Sequence, residues 1–179
     1  PSIPIVARLV STEEARWVFD PTDAGVAGEF APGEVRIEEG VVRIQMISGV
    51  ELVLKAPSII ELVDATTVRL QQGNLTVSVS DESEGFRVFT PMAYLVDMGT
   101  EFGVEVEESG TTEVHVFQGV VVAKSTASGS VVPIAAQEAG RIDAPRDRPD
   151  LAYGEFVSVK LDRSRFRGLS ASTDDAAVH

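Results

Sequence analysis

Four side chains near the middle of the sequence could act together chemically: Glu105, Glu107, Glu113 and His115. Glu107 begins a Glu-Glu-Ser-Gly segment, 107–110, that is typical of a hairpin loop, and the other three side chains lie on either side of it. Because alternate residues of a strand share a face, all four could line one face of a hairpin and bind a divalent cation. Ca²⁺ sites usually add loop carbonyls and closely spaced Asp residues, which are missing here. A solvated strand face with His115 beside Glu113 is therefore the favoured interpretation, and no metal is expected.

The same histidine is the natural candidate for a catalytic base, because the second histidine, His179, is the last residue. No Gly-x-Ser-x-Gly elbow precedes His115, and no phosphate-binding or dinucleotide-binding fingerprint is present. Asp and Glu residues are abundant, so a glycosidase-like carboxylate pair stays open, but no pair stands out. We expect no enzymatic activity and no cofactor.

Composition narrows the class of protein. The chain has 179 residues, 44% hydrophobic residues, no Cys and a formal net charge of −13. Disulfides and thiolate metal sites are excluded. A chain this acidic repels phosphate backbones, so nucleic acid is not an expected partner. No run of about 18 apolar residues exists, so these residues contain no predicted membrane span.

Short runs rich in β-branched residues, each closed by a turn residue, follow one another from Glu34 onward. This spacing predicts an all-β fold, with two facing sheets forming a β-roll or a short solenoid-like sandwich of about 10–13 short strands. Corners are predicted at Gly40, Gly49, Gly73, Gly85, Gly99, Gly110 and Gly119.

The predicted division of the chain into segments follows the same spacing of strands and turn residues. Residues 1–33 are predicted to form an N-terminal strand and loop that pack on the core, with 3–10 as strand and 11–17 as strand or one helical turn. Residues 34–144 form the main β domain. Residues 145–179 are predicted to be a linker, one strand within 155–161, and a flexible tail whose final ten or so residues are disordered. Trp17, the only Trp, is expected to plug one end of the core.

A polar segment, Asp97-Met98-Gly99-Thr100-Glu101, interrupts apolar sequence and predicts a tight turn. Asp97 would accept a hydrogen bond from the amide two residues on, Gly99 would supply a positive φ, and Thr100 would cap the turn. The alternative is that the segment contacts a partner or ligand.

Several segments, in order, resemble the FecR domain, the extracytoplasmic sensor module of bacterial transmembrane anti-sigma regulators, in its planctomycete-like form. The most specific are Val96 to Val104 (VDMGTEFGV) and Val114 to Gly119 (VHVFQG), and the likeness covers about 35–142. The family motif thus includes Asp97, Gly99, Thr100, Glu101 and Phe102. The chain departs from the pattern at Lys55-Ala56-Pro57, where a Gly is expected before the Pro, and it lacks the family's cytoplasmic anti-sigma segment and transmembrane helix.

The resemblance implies a non-enzymatic sensory or interaction module that takes part in sigma-factor regulation. In the iron-citrate type, such a module contacts the signalling domain of an outer-membrane transporter. A protein partner in the envelope and a periplasmic or other extracytoplasmic location are therefore expected, with the full-length protein anchored in the inner membrane by a segment outside these residues.

An unprotected strand edge would favour protein binding by strand addition. Exposed aromatic residues in a groove would favour the alternative, a carbohydrate- or polymer-binding module of the envelope. A purely structural envelope domain is the third reading.

Overall fold

The computed structural model describes residues 4–19, 28–79, 85–145 and 154–169. Within these ranges thirteen strands form one sheet that does not close into a barrel. The strands are β1 (Ala7–Phe19), β2 (Glu29–Phe30), β3 (Gly33–Met46), β4 (Glu51–Asp64), β5 (Thr67–Ser78), β6 (Arg87–Phe89), β7 (Ala93–Asp97), β8 (Glu101–Val106), β9 (Thr112–Gln118), β10 (Val120–Ser125), β11 (Val131–Ala135), β12 (Glu138–Ile142) and β13 (Val157–Val159). A one-turn 3₁₀ helix follows at Arg163–Arg165. Among the described residues, none forms a helix long and apolar enough to cross a membrane.

Strand β5 is the branch point of the sheet. One of its edges pairs with β4, which leads through β3 and β1 to β2. On its other edge, Thr67–Arg69 pair in parallel with β6, and Gly73–Ser78 pair antiparallel with β8. Strands β6, β7, β10 and β11 form what we call the first arm, and β8, β9, β12 and β13 the second arm. Both arms are therefore hydrogen-bonded to the same strand, β5.

A line of irregularities bends the long strands at the same level. The register shifts between Glu13 and Arg16 in β1, between Ile37 and Val41 in β3, and between Lys55 and Ile59 in β4. Each shift is a β-bulge or a similar irregularity, and bulges bend a strand and increase its twist. Because the shifts face one another across neighbouring strands, the sheet folds there as a unit.

Two glycines make this bend sterically feasible. Gly40 has φ +78° and Gly73 has φ +121°, a region that residues with a Cβ rarely adopt. A Cβ on Gly40 would overlap the backbone of Glu13, and a Cβ on Gly73 would overlap Ser58. The Ser58 hydroxyl donates to the carbonyl of Lys55 (2.6 Å) and accepts from the amide of Asn74 (3.0 Å), which joins the two bent strands.

The hydrophobic core lies inside the fold of the sheet and is one continuous cluster. In β3 the buried positions are Val35 and Ile37 before the bend and Val42, Ile44 and Met46 after it. Full burial of such a side chain contributes about 1.5–3 kcal/mol. Thr90, after β6, and Thr112, in β9, meet through their hydroxyls at 2.9 Å, which joins the first arm to the second.

The predicted all-β class is confirmed, and the ambiguous segment 11–17 is strand. The prediction that the strands are short is wrong for β1, β3, β4 and β5, which have 13, 14, 14 and 12 residues. Gly40 and Gly73, predicted as corners, lie inside β3 and β5, and Pro57 lies inside β4. These residues mark bulges inside strands, because the neighbouring strands bend with them and keep their hydrogen bonds on both sides.

At the chain ends, the predicted strand within 155–161 corresponds to β13. Trp17 is partly buried and packs on Phe30, with ring centroids 5.7 Å apart. In the predicted N-terminal loop, residues 20–27 lie outside the described residues, and Glu29–Phe30 form the short strand β2. Most of the predicted linker, 146–153, also lies outside the described residues. The final ten residues, for which disorder is predicted, also lie outside them, at 170–179.

The bend provides a first test. Gly73→Ala should lower the free energy of unfolding by about 2–4 kcal/mol, because it combines backbone strain with overlap against Ser58. Gly129→Ala is the matched control, since Gly129 also has a positive φ (+78°) but has no atom within 4 Å of the added Cβ. The control should cost about 1 kcal/mol. Urea unfolding of both variants measures the difference, and equal losses would contradict the steric role of Gly73.

Candidate functional site

The segment that carries the family motif forms a closed turn at the end of β7. Asp97 is fully buried, and its Oδ1 accepts from the amide of Gly99 (2.7 Å) and the hydroxyl of Thr100 (3.3 Å). Its Oδ2 accepts from the amide of Phe86 (2.6 Å). Gly99 has φ +77°. A single carboxylate thus fixes its own turn and the start of the neighbouring chain segment.

The two segments that carried the resemblance meet in space at this turn. Gly119, which ends the VHVFQG segment, lies against the carbonyl of Gly99, and a Cβ at position 119 would overlap that oxygen. The amide of Met98 donates to the carbonyl of Val120 (3.0 Å), and the amide of Val79 donates to Thr100 (2.8 Å). The motif is therefore the place where the first arm is fastened to the end of β5.

Little of this motif is accessible to a partner. Thr100, Glu101 and Phe102 are all buried, whereas Met98 is 51% exposed at the tip of the turn. Alternation along β8 would place Glu101 on the outer face with Glu105, but its side chain is covered and accepts from the hydroxyl of Ser78 (3.2 Å). Any contact at the turn would pass through Met98.

The predicted acidic hairpin forms from β8 and β9. Glu105 lies directly opposite Glu113, and His115 lies opposite Gly103, so the predicted side chains do share the outer face of the second arm. The interpretation of this face as solvated is wrong for two of them, since His115 is 0% exposed and Glu113 is buried. Glu107, beside the loop, remains exposed.

Residues 160–169, which we call the C-terminal strap, cover this face. The ring of Phe166 occupies the space where a Cβ of Gly103 would lie, and its centroid is 5.2 Å from that of His115 and 5.8 Å from that of Phe117. Arg163 lies over the ring of Phe117 at 5.0 Å. The strap thus packs an aromatic side chain into a slot that the glycine leaves open.

Glu113 is the electrostatic centre of the covered face. It accepts from Arg141 on β12 (2.9 Å), from Arg165 of the strap (3.0 Å) and from Nε2 of His115 (3.0 Å). Burial by itself would raise the pKa of Glu113, but the hydrogen bond from His115 and the charges of Arg165 and Arg141 outweigh it, so the pKa lies below its ordinary value. The carboxylate is therefore held in its charged form.

The contacts of His115 define its tautomer. The backbone amide of Asp162 donates to Nδ1 at 3.1 Å, so that nitrogen must offer a lone pair. The proton of the neutral ring then sits on Nε2 and is donated to Glu113. Both ring nitrogens are engaged, and neither is free to activate a nucleophile.

The described carboxylates and His115 are not arranged as a metal-binding site. Across the described ranges, no group of three or more His, Asp or Glu side chains is placed to hold a metal ion. Two guanidinium groups occupy Glu113, while Glu105 accepts from Asn74 (3.1 Å) and lies 4.0 Å from Arg165. The hairpin carboxylates balance arginines that come from elsewhere in the chain.

Sequence reasoning missed the residues that close this face. Asn74, Arg141, Arg165 and Phe166 come from three separate segments, and their proximity depends on the bend and on the path of the strap. The one available signal was charge: three arginines within 163–167 follow an otherwise acidic sequence. A basic segment and an acidic strand face of the same chain are natural partners.

The fold and the turn together define an all-β module built on one bent sheet, fastened by a buried aspartate. Residues 34–122 match the family described as FecR protein, and through this half of its length the chain belongs to the FecR family. The match ends within β10, so β11 to β13 and the C-terminal strap lie beyond it.

Two crystal structures of a proposed anti-sigma factor from Parabacteroides distasonis are similar in fold. The TM-scores are 0.59 and 0.60, with 18% and 19% sequence identity over 72% and 73% of this chain. The chain spans 60% and 61% of those proteins, and at such identity the likeness concerns the fold alone. No curated protein sequence matches the chain.

A test of the motif follows from the contacts of Asp97. Asp97→Ala should lower the free energy of unfolding by about 2–3 kcal/mol, because the buried amide of Phe86 loses its charged acceptor. Met98→Ala, one residue away and exposed, should change stability by no more than about 0.5 kcal/mol. Thermal or urea unfolding checks both, and a near-neutral Asp97→Ala would refute a structural role for the motif.

The lowered pKa of Glu113 gives a pH test. A carboxylate with a depressed folded-state pKa stabilises the fold fully above its ordinary pKa of 4.5, and this contribution disappears as the pH falls through the folded value. The stability difference between wild type and Glu113→Gln should therefore be largest at neutral pH and smallest below pH 4.5. Glu107→Gln, an exposed neighbour on the same face, should change stability by less than about 0.5 kcal/mol. A Glu113→Gln difference that stays constant or grows in acid would show that the carboxylate is not held by these contacts.

Proposed function

We propose that the chain is a non-enzymatic extracytoplasmic sensory and interaction module of a protein that regulates a sigma factor. The observation that carries this proposal is the FecR match over residues 34–122. It is supported by the similarity in fold to the Parabacteroides protein described above as a proposed anti-sigma factor. The module would receive a signal by binding another protein of the envelope and pass it along the parent protein, whose membrane anchor lies outside these residues.

The chemistry of the covered face supports a role without catalysis. The imidazole of His115 is fully buried and bonded on both sides, and the carboxylate of Glu113 is neutralised by two arginines. A general base must reach the proton that it removes from a substrate. In the described structure the His115 side chain does not reach solvent, and the Glu113 side chain is only 10% exposed and is bound by arginines.

The outer edge of β1 supports protein binding. This strand has 13 residues, and in the described part of the chain β2 pairs with its outer edge at Ala7 and Arg8 and the amide of Leu9 donates to the carbonyl of Gly28 (2.7 Å), while no described strand pairs with this edge beyond Leu9. Val10 and Val18 are 52% and 51% exposed along this strand. Long edges with apolar side chains are sites at which a partner can add a strand. We propose that the partner binds here.

The exposed apolar residues do not favour the carbohydrate-binding alternative. Within the described ranges the exposed large hydrophobic residues are Val10, Val18, Ile47, Met98, Val131 and Val157, all of them aliphatic. Sugar rings usually stack on aromatic side chains, which present flat apolar faces. The surface is therefore better suited to a polypeptide.

The partner we propose is the signalling domain of an outer-membrane transporter or another envelope protein, and iron uptake is one process that such a pair would control. The test is an affinity capture from envelope extract with three baits: wild type, Val10→Lys/Val18→Lys, and Val131→Lys. The wild-type and Val131→Lys baits should recover the same signalling protein, because β11 is on a different edge. Lysines on β1 should abolish the capture, since charged side chains block strand addition.

Two results would count against the proposal. Equal capture by the β1 variant would move the binding site away from this edge. Recovery of polysaccharide alone by all three baits would replace the protein-binding function with the carbohydrate-binding one.

A further inference from the structure

The C-terminal strap differs from the rest of the fold in how it is held. In the described structure, residues 160–169 pair with no strand and are held mainly by side-chain contacts. Most of these are to the second arm, but Asn74 of β5 also donates to the carbonyl of Arg165 (3.0 Å), and Arg167 forms an exposed ion pair with Glu13 of β1 (3.2 Å). The main anchors are Arg165 on Glu113, Phe166 on Gly103, and the amide of Asp162 on His115. Segments held by few backbone hydrogen bonds open more easily than the strands beneath them. The strap can therefore leave the surface while the sheet stays folded.

One of these anchors depends on protonation. The amide of Asp162 can donate to Nδ1 of His115 only while that nitrogen carries a lone pair. A proton on Nδ1 would face the amide N–H directly, and both groups would be donors. Imidazole is the side chain whose charge changes near physiological pH.

From this geometry we propose that the C-terminal strap is a pH-sensitive latch, closed on the second arm while His115 is neutral and released when Nδ1 takes up a proton. The proposal concerns the folded chain itself and stands independently of the partner proposed above. Release would uncover the slot at Gly103 and the aromatic ring of Phe117.

The charged groups around His115 decide the direction of the effect. Glu113 lies on the same strand, Glu105 on β8, Arg141 on β12, and the strap itself brings Asp162, Arg163 and Arg165. Only contacts that differ between the closed and open states can shift the equilibrium between them. The contact of His115 with Glu113 lies within β9 and is available in both states, so it favours neither.

Closing the strap adds three features around the ring. The amide of Asp162 requires an unprotonated Nδ1, and the guanidinium of Arg165 brings positive charge to the Glu113 oxygen that His115 also contacts. Both oppose a charged imidazole. The carboxylate of Asp162 would favour it, but its oxygens already accept from Ser164 and Arg165. The closed contacts are therefore incompatible with a proton on Nδ1, and acid should open the latch.

Hydrogen–deuterium exchange of the complete 179-residue chain tests the latch. Protection of residues 160–169, corrected for intrinsic exchange, should fall by about tenfold or more between about pH 7.5 and about pH 5.5, where imidazoles take up protons. Protection of β4 and β5 serves as the reference and should be unchanged. Unchanged strap protection would overturn the proposal, and so would a parallel loss in β4 and β5, since the strap would then not open by itself.

A variant at position 115 separates protonation from other effects of acid. In His115→Asn the amide oxygen can take the place of Nδ1 as acceptor and does not titrate, so the strap should stay protected at both pH values. A strap that opens in acid to the same extent in this variant would exclude His115 as the switch. If the variant does not fold, the wild-type comparison of strap against β4 and β5 still decides the question.

Discussion

The close contact between Gly73 on β5 and Ser58 on β4 is the constraint on which the rest of the structure depends. The missing Cβ at position 73 lets the two strands bend together, and the Ser58 hydroxyl bridges them there. Without this bend, β5 would be a straight strand with a single partner on its second edge. With it, the first half of β5 pairs with β6 and the second half pairs with β8. Both arms, the core between them and the outer face of the second arm follow from that division.

The two sides of the second arm are stabilised by different physical effects. Its inner side packs Phe102, Val104, Val114 and Val116 into the core. Its outer side is a network of charges, in which arginines from β12 and from the C-terminal strap converge on Glu113. In a chain with net charge −13, these arginines lie beside a buried carboxylate. Such a network fixes the position of the strap and also makes it responsive to protonation.

Much of the fold could be predicted from the sequence because the alternation of β-branched and polar residues is regular after Glu34. The Asp97 turn was also visible, since Asp, Gly and Thr at that spacing favour one local geometry. The merging of short runs into β3, β4 and β5 could not be predicted, because Gly40 and Gly73 have the same local preference in a turn and in a bulge. What distinguishes them is the neighbouring strand, which local sequence does not reveal.

The sequence predicted only part of the candidate site, because local patterns do not reveal which distant segments cover a strand face. Period-two alternation correctly placed Glu105, Glu113 and His115 on one face, but alternation does not say what covers a face. Burial of His115 depends on Phe166, about fifty positions further along the chain, and on the glycine slot at Gly103. Long-range packing of this kind is decided by tertiary structure, and the only trace in the sequence is the basic character of 163–167.

We propose that this FecR-family module takes part in the regulation of a sigma factor by an external signal. The most direct measurement is transcription from the sigma-dependent promoters in the native organism, after residues 4–169 are deleted in frame from the parent protein. Transcription should then no longer respond to the external signal, while the rest of the cell's transcription is unaffected. An unchanged response would contradict the claim and leave the domain without a role in sigma-factor control.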